Sequence, residues 1–189
     1  MNFIVQVADE SHVKFARDIC YEIYISAQER HTGIAKRTPE YIEEKIRAGK
    51  AVIALTVEGN FAGFSYIESW QGKKYVATSG LIVAHHYRGR GLARRIKEMT
   101  FALSRKLFPD AKIFSITTGG AVMRLNYEFG FRPVPFAELT SDPEFWKGCE
   151  GCRNYEILQA NEQQRCICTG LLFDPDDIIQ IKTPTLTEK

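Results

Sequence analysis

The sequence contains no uninterrupted apolar stretch near the roughly 18 residues that a membrane-spanning helix needs. Its first residues, MNFIVQVADE, lack the basic segment followed by an apolar one that marks a secretory signal. It also lacks a strong charge imbalance, because the formal net charge is only +2. A charge this small gives no ground for a nucleic-acid or membrane partner. These absences predict a cytoplasmic protein.

The composition is typical of one compact domain with a buried core, since 44% of the 189 residues are hydrophobic and 25% are charged. Strand-like and helix-like hydrophobic patterns follow one another along the chain. The predicted segments are strands at 3–8, 51–57, 61–68, 75–84 and 112–117, helices that begin near Ser11, Thr38, Gly91 and Ala121, and an edge strand at 131–136, which carries two prolines.

A basic, glycine-containing loop stands between the strand that ends at Ala84 and the helix that begins near Gly91. Five cations and no acidic residue lie between His85 and Lys97. Backbone N–H groups of such a loop, at the positive end of a helix dipole, form a site for phosphate or pyrophosphate. The alternative is a solvated basic helix start whose glycines only make a turn. The glycine spacing matches neither a P-loop nor a dinucleotide-binding fingerprint.

This loop carries a resemblance to a known family. The run Arg88-Gly89-Arg90-Gly91-Leu92-Ala93 resembles the Arg/Gln-x-x-Gly-x-Gly/Ala motif of the GNAT superfamily of acyl-CoA-dependent N-acetyltransferases. The hydrophobic strand Leu81-Ile82-Val83 precedes it, and Gly130-Phe131 matches the family's second habitual feature. The resemblance covers residues 1 to about 136 and implies an α/β (α+β) fold with a mixed, mostly antiparallel central sheet and flanking helices.

The resemblance implies three regions. Residues 1–136 would form the acetyl-CoA-binding catalytic domain, residues 137–175 a Cys-containing segment packed on it, and residues 176–189 a polar tail. Residues 32–37 and the cysteine-bearing region also resemble a bacterial subgroup often associated with arginine biosynthesis. In that subgroup the suspected step is acetylation of glutamate or a related amino acid.

The same resemblance implies how acetyl-CoA would bind. The pyrophosphate would lie on the loop, and the pantetheine arm would run beside the strand 75–84, which splays from the strand 112–117. Main-chain donors near Leu81 and Val83 would polarise the thioester carbonyl. The implied cofactor-binding residues are Leu81, Val83, Arg88, Gly89, Arg90, Gly91, Leu92 and Ala93.

The catalytic groups are less regular. The family often places an acidic tyrosine four residues before the glycine of the Gly-Phe pair, and here that position is Asn126, with Tyr127 one residue later. Asparagine can donate a hydrogen bond but cannot transfer a proton in this role. Glu68 is the nearest carboxylate for a base. The alternatives are His85, His86, Glu22, Glu29 and a water held by Thr78 or Ser79.

The basic loop from Arg30 to Arg37 lies where this fold usually contacts its acceptor. Arg30, Lys36 and Arg37 are predicted to bind the carboxylates of an amino acid, because guanidinium groups do so bidentately. A solvated loop is the alternative.

Four of the five cysteines form a C-x-x-C pair, Cys149 and Cys152, and a C-x-C pair, Cys166 and Cys168, separated by 13 residues. Four thiolates on two short turns can close a tetrahedral zinc site. Buried structural thiols and a redox-active pair are the competing interpretations.

The predicted function is transfer of an acetyl group from acetyl-CoA to a primary amine of a small metabolite, such as the amino acid glutamate. One alternative is N-terminal acetylation of a protein or peptide. Another is a non-catalytic CoA-binding or zinc-stabilised interaction module. The expected partner is a small-molecule amine, and no nucleic-acid or membrane partner is expected. Whether the protein forms a homodimer is left open.

Overall fold

The computed structural model describes residues 2–30 and 37–177, except for the side chain of Arg30. Its described part contains a seven-stranded sheet in the order β1-β2-β3-β4-β5-β7-β6. The strands are β1 (Phe3–Val7), β2 (Ala51–Thr56), β3 (Phe61–Trp70), β4 (Tyr75–Val83), β5 (Lys112–Thr117), β6 (Arg132–Val134) and β7 (Thr169–Phe173). The helices are α1 (Ala16–Arg30), α2 (Pro39–Arg47), α3 (Leu92–Leu107), α4 (Gly120–Glu128), α5 (Pro143–Lys147) and α6 (Tyr155–Ala160).

The sheet is mixed and mostly antiparallel, which confirms the predicted fold class. Its one parallel pair among the described strands is β4 with β5, and that pairing covers only Tyr75 to Ala77 against Lys112 to Phe114. Beyond these residues the two strands no longer pair with each other. The gap that begins at Thr78 on β4 and Ser115 on β5 is called the fork below.

Apolar clusters cover both faces of the sheet. On one face α3 buries Leu92 and Ile96 against Ile67, Val76 and Ile113. On the other face α1 and α2 bury Ile19, Ile42 and Ile46 with Phe64 and Tyr66. Burial of this apolar area holds α3 on one side of β4 and the two N-terminal helices on the other.

The chain between β6 and β7 carries α5, α6 and the four clustered cysteines. Trp146 and Leu158 from this part pack with Phe114 of β5 and Leu172 of β7 in a third apolar cluster. The strand β7 lies between β5 and β6, so the region predicted as a C-terminal segment supplies an interior strand of the sheet. β6 lies at the sheet edge, as the two prolines of the predicted segment 131–136 indicate.

Local signals at the helix ends agree with the sequence patterns. Thr38 caps α2 through its hydroxyl and Pro39 takes the first helical position. Gly130, which follows the C-cap residue Phe129 of α4, has φ +80°, which suits a residue that closes a helix. In the described ranges, no helix combines the length and apolar character that crossing a membrane requires.

Candidate active site

The loop between β4 and α3 ends in an open helix N-terminus. Gly89 and Gly91 have φ values of +75° and +73°, in the left-handed region that favours glycine. Gly91 caps α3 without any side-chain hydrogen bond to the first helical N–H groups. Free N–H groups at the positive end of a helix dipole are the groups that bind anions in other proteins. The geometry fits the phosphate-binding interpretation of the loop.

Three arginines, one in the loop and two in the first turn of α3, bind other parts of the protein. Arg88 donates from Nε to the Val83 carbonyl at 3.1 Å and from Nη1 to Glu29 on α1 at 2.7 Å. Arg94 forms an ion pair with Glu128 of α4, and Arg95 donates to the Phe3 carbonyl at 3.0 Å. The hydrogen bond from Arg88 holds the pKa of Glu29 below its ordinary value. Backbone N–H groups are therefore the main anion donors of this loop.

A bulge in β4 lies beside the fork. Phe64 pairs with Ile82, whereas Tyr66 pairs with Ser79, so β4 holds one extra residue and neither Gly80 nor Leu81 has a partner on β3. Gly80 has φ +65°, and a Cβ there would lie 2.6 Å from Cε1 of Tyr66. Only glycine fits, and the bulge frees main-chain groups of β4 from the ladder.

A cleft of about 510 Å³ opens at the fork. Thr78 and Leu81 of β4 and Ser115 of β5 line it. The lining also includes a polar group, Arg37, Tyr41 and Glu68, and a second group, Trp70, Phe145, Cys149, Cys152 and Cys168. Residues from six separated stretches of sequence thus share one cavity.

Hydrogen bonds and an ion pair hold the polar lining residues of the cleft in place. Arg37 donates from Nε to the Tyr66 hydroxyl at 2.6 Å, and Lys45 forms an ion pair with Glu68 at 2.9 Å. The Tyr41 hydroxyl donates to Glu68, and burial, with Tyr66 and Glu68 nearby, raises the pKa of Tyr41. The Glu68 side chain is 15% exposed. These contacts fix the guanidinium of Arg37 in the same cleft as the ion-paired carboxylate of Glu68.

The second group of lining residues contains aromatic rings that pack against one another. The Phe145 ring meets Trp70 edge-on, with centroids 5.5 Å apart, and meets Phe114 at 4.9 Å. Such edge-to-face pairs hold rings in fixed orientations. The buried Nε1 of Trp70 has no hydrogen-bond partner within the described residues.

No family model matches the sequence, and no curated protein sequence matches it either. Similar folds occur among solved structures of acetyltransferases. N-acetylglutamate synthase from Neisseria gonorrhoeae, complexed with coenzyme A and N-acetyl-glutamate, has a TM-score of 0.65 and 16% identity over 92% of this chain and 35% of its own. A GNAT superfamily phosphinothricin acetyltransferase from Sinorhizobium meliloti, in complex with AcCoA, has a TM-score of 0.62 and 14% identity over 92% and 89%.

The protein YncA from Salmonella typhimurium, solved with its cofactor acetyl-CoA, has a TM-score of 0.61 and 16% identity over 92% of this chain and 94% of its own. The fold is that of the GNAT acetyltransferases. The chain spans about a third of the N-acetylglutamate synthase and most of the other two proteins.

Within the GNAT fold the predicted catalytic residues occupy very different places. Asn126 is fully buried on α4, and neither its side-chain nitrogen nor its oxygen has a partner among the described residues. Tyr127, the next residue of the same helix, is 47% exposed. Glu68 lies in the cleft, and the exposed His85 ring contacts Glu29 near the loop. Of these residues, Glu68 is the one that lines the cleft.

The predicted substrate residues are partly described. Arg37 lies in the cleft, whereas Lys36 and the side chain of Arg30 fall outside the described residues. Gly80, Lys45, Tyr66 and Trp70 did not emerge from the sequence as site residues. The register of β3 against β4 places Gly80 and Tyr66 together, and no local pattern reveals that register.

The prediction of a zinc site at the cysteine cluster is not supported. Among the described residues, no group of three or more His, Cys, Asp or Glu side chains is arranged to hold a metal ion. Cys149, Cys166 and Cys168 instead pack against the third apolar cluster. Burial, followed by the neighbouring thiols, raises the pKa of Cys149 to about 11 and that of Cys168 to about 12. Cys149 and Cys168 therefore contribute neutral thiols to the lining of the cleft.

Proposed function

We propose that the protein is an N-acetyltransferase that moves the acetyl group of acetyl-CoA to a primary amine of a small metabolite. The observation that carries this proposal is the continuity of the site along β4. The bulge at Gly80 and the fork at Thr78 lie on this strand, and the open N-terminus of α3 follows its end at Val83. One strand therefore connects a pyrophosphate site with a cleft of about 510 Å³.

The residues of this chain fit acetyl-CoA both within β4 and just beyond its C-terminal end. The N–H groups at the start of α3 would hold the pyrophosphate, with Gly89 and Gly91 allowing close backbone approach. The unpaired edge of β4 would bond the pantetheine arm, and the bulge at Leu81 would present a main-chain donor to the thioester carbonyl. When bound, acetyl-CoA supplies the activated acetyl group.

The cleft favours an acceptor that carries both an amine and a carboxylate. Arg37 is fixed by Tyr66 at one side and offers a guanidinium to a carboxylate. Trp70 Nε1, which lacks a partner among the described residues, offers a second donor in the same cleft. Amino acids, glutamate among them, have these groups. Glu68 is a carboxylate of the cleft lining that would take the amine proton, either directly or through water.

The test is incubation of the purified protein with acetyl-CoA and a panel of amino acids, amines without a carboxylate, and short peptides. Release of CoA is followed by chromatography, because the chain's five cysteines would react with a thiol dye. We expect turnover with one or more amino acids. Turnover with peptides alone would favour N-terminal acetylation, and calorimetric CoA binding without any turnover would favour a binding module.

A further inference from the structure

One face of the sheet carries a row of side chains whose polarity changes along β3. Tyr66, Glu68 and Trp70 stand at alternate positions of this strand, so their side chains share one face. Ile67, which lies between two of them, packs on the other face with α3. The partners of the row on β4 share its face and are, in the same order, Ser79, Ala77 and Tyr75. The row therefore starts beside the bulge at Gly80 and leads away from it toward the first residues of β4.

The row is polar at the end that lies next to the bulge. The Tyr66 hydroxyl accepts a hydrogen bond from Arg37 at 2.6 Å, and the Tyr66 ring occupies the space where Gly80 would carry a Cβ. Two residues further along, Glu68 forms an ion pair with Lys45 at 2.9 Å. A guanidinium and a carboxylate thus lie at the end of the row where the thioester is proposed to bind.

The other end of the row is apolar. The Phe145 ring lies 5.5 Å from the Trp70 ring and 4.9 Å from the Phe114 ring, between centroids. Cys149 and Cys168 add thiols to the same lining, and sulfur packs favourably at the edge of aromatic rings. Trp70 is two strand residues from Glu68, which is roughly 7 Å. A side chain several atoms long is needed to bridge that distance.

The charges of the cleft favour an acceptor with one carboxylate. In the described part of the lining, Arg37 is the one cation, whereas Glu68 and Glu144 carry carboxylates. A second carboxylate on the acceptor would lie at the apolar end, where Trp70 Nε1 is a single neutral donor. One such contact does not offset the lost hydration of a buried charge. The apolar end therefore disfavours an acidic side chain.

We propose that the acceptor is an amino acid with a large apolar side chain, such as phenylalanine or methionine, and that the rings of Trp70 and Phe145 select it over glutamate. This inference rests on the proposed function and assigns its substrate class. The α-carboxylate binds Arg37, and the side chain packs on the two rings. The amine attacks the acetyl carbon and loses a proton to Glu68, directly or through water, while the carbon–sulfur bond breaks and its electron pair leaves with CoA.

The experiment compares kcat/KM of the unaltered protein for phenylalanine, methionine, glutamine and glutamate, with acetyl-CoA saturating. Glutamine and glutamate match in size and differ in charge, whereas methionine and glutamine match in length and differ in polarity. We expect phenylalanine and methionine to exceed glutamine about tenfold, and glutamine to exceed glutamate about tenfold. A value for glutamate that equals or exceeds that for methionine would overturn the inference.

Calorimetry of the same four amino acids, with the protein saturated with CoA, tests the selection without any turnover. The dissociation constants should follow the same order. Binding in this order without turnover would contradict acetyl transfer and support the selection. Turnover or binding led by glutamate would contradict the selection and leave acetyl transfer standing. Absence of both turnover and binding for all four would contradict both proposals.

A variant that adds a cation to the apolar end should move the preference toward glutamate. Cys152 lines the cleft, and its N–H donates to the Cys149 carbonyl at 2.8 Å. In Cys152→Arg the ratio of kcat/KM for glutamate to that for methionine should rise about tenfold, because a guanidinium binds a carboxylate. Ile167→Arg is the matched control, since Ile167 is 60% exposed and outside the described lining. An equal ratio in the two folded variants would count against the placement of the acceptor side chain.

Discussion

The two proposed sites along β4 are built in opposite ways. Beyond the C-terminal end of the strand, residues 84–93 form the proposed anion site from consecutive backbone N–H groups and two left-handed glycines. At the fork, the cleft takes side chains from six separated stretches of the chain. The first site depends on local conformation, and the second depends on strand register and packing. Substitutions should therefore separate the two, since a change in one leaves the other intact.

The largest effect is expected at the bulge that lies between them. Gly80→Ala places a methyl group against the Tyr66 ring at a left-handed position, so acetyl transfer should fall by 100-fold or more, about 2.7 kcal/mol. Gly59→Ala is the matched control, because Gly59 has φ +86° with open space around its Cβ position. Assays of both variants, with thermal unfolding, measure the effect. Equal activities in the two variants would show that the bulge is dispensable.

The next effect concerns stability and pH. Burial lowers the pKa of Lys97 to about 7 in the folded protein, whereas a lysine in the unfolded protein has a pKa of about 10.4. Between these two pH values the folded protein therefore binds fewer protons than the unfolded one. The free energy of unfolding should rise with pH across this window, by up to about 1.4 kcal/mol per pH unit. Denaturant titrations at several pH values should show this rise for the wild type and not for Lys97→Met. Parallel pH profiles would contradict a neutral buried lysine.

The anion site is tested by Gly91→Val. The added side chain has open space in the protein but disturbs the left-handed backbone that aims the N–H groups, so CoA affinity should fall at least tenfold, about 1.4 kcal/mol. Gly49→Val carries similar strain at φ +64° in a turn after α2 and should leave the affinity unchanged. Calorimetry measures both. Unchanged affinity in a folded Gly91→Val protein would count against the loop.

The polar side of the cleft is tested by Arg37→Met. Loss of the guanidinium should raise KM for acceptors with a carboxylate roughly tenfold, as expected for one charge-assisted contact, and leave CoA affinity unchanged. Amines without a carboxylate serve as the internal control, since their KM should stay constant. A uniform rise in KM for both classes would indicate that Arg37 only supports Tyr66.

The smallest effect is expected for Tyr127→Phe. This side chain is 47% exposed and does not line the cleft, so kcat should change by less than about twofold. A fall of about 100-fold would instead assign Tyr127 as the general acid. Steady-state kinetics with a saturating acceptor distinguishes the two outcomes.

Sequence patterns were sufficient where a few neighbouring residues decide the conformation. Thr38 and Pro39 predict the start of α2, Gly130 predicts the end of α4, and the two prolines predict an edge strand. Lys97 shows where such patterns fail, because it counts as part of a basic run although it is buried. A signal was present, since Thr100 and Ser104 follow it at helical spacing and are buried as well.

The sequence by itself determined the backbone of the proposed anion site, because glycines at left-handed positions and the start of a helix depend on local dihedral angles. Tertiary structure alone decided the cleft. The register of β3 against β4 sets Tyr66 on Gly80, and the insertion of β7 between β5 and β6 brings Phe145 and Cys149 over the fork. These pairings join residues far apart in the chain, and only the burial of shared apolar surface selects them.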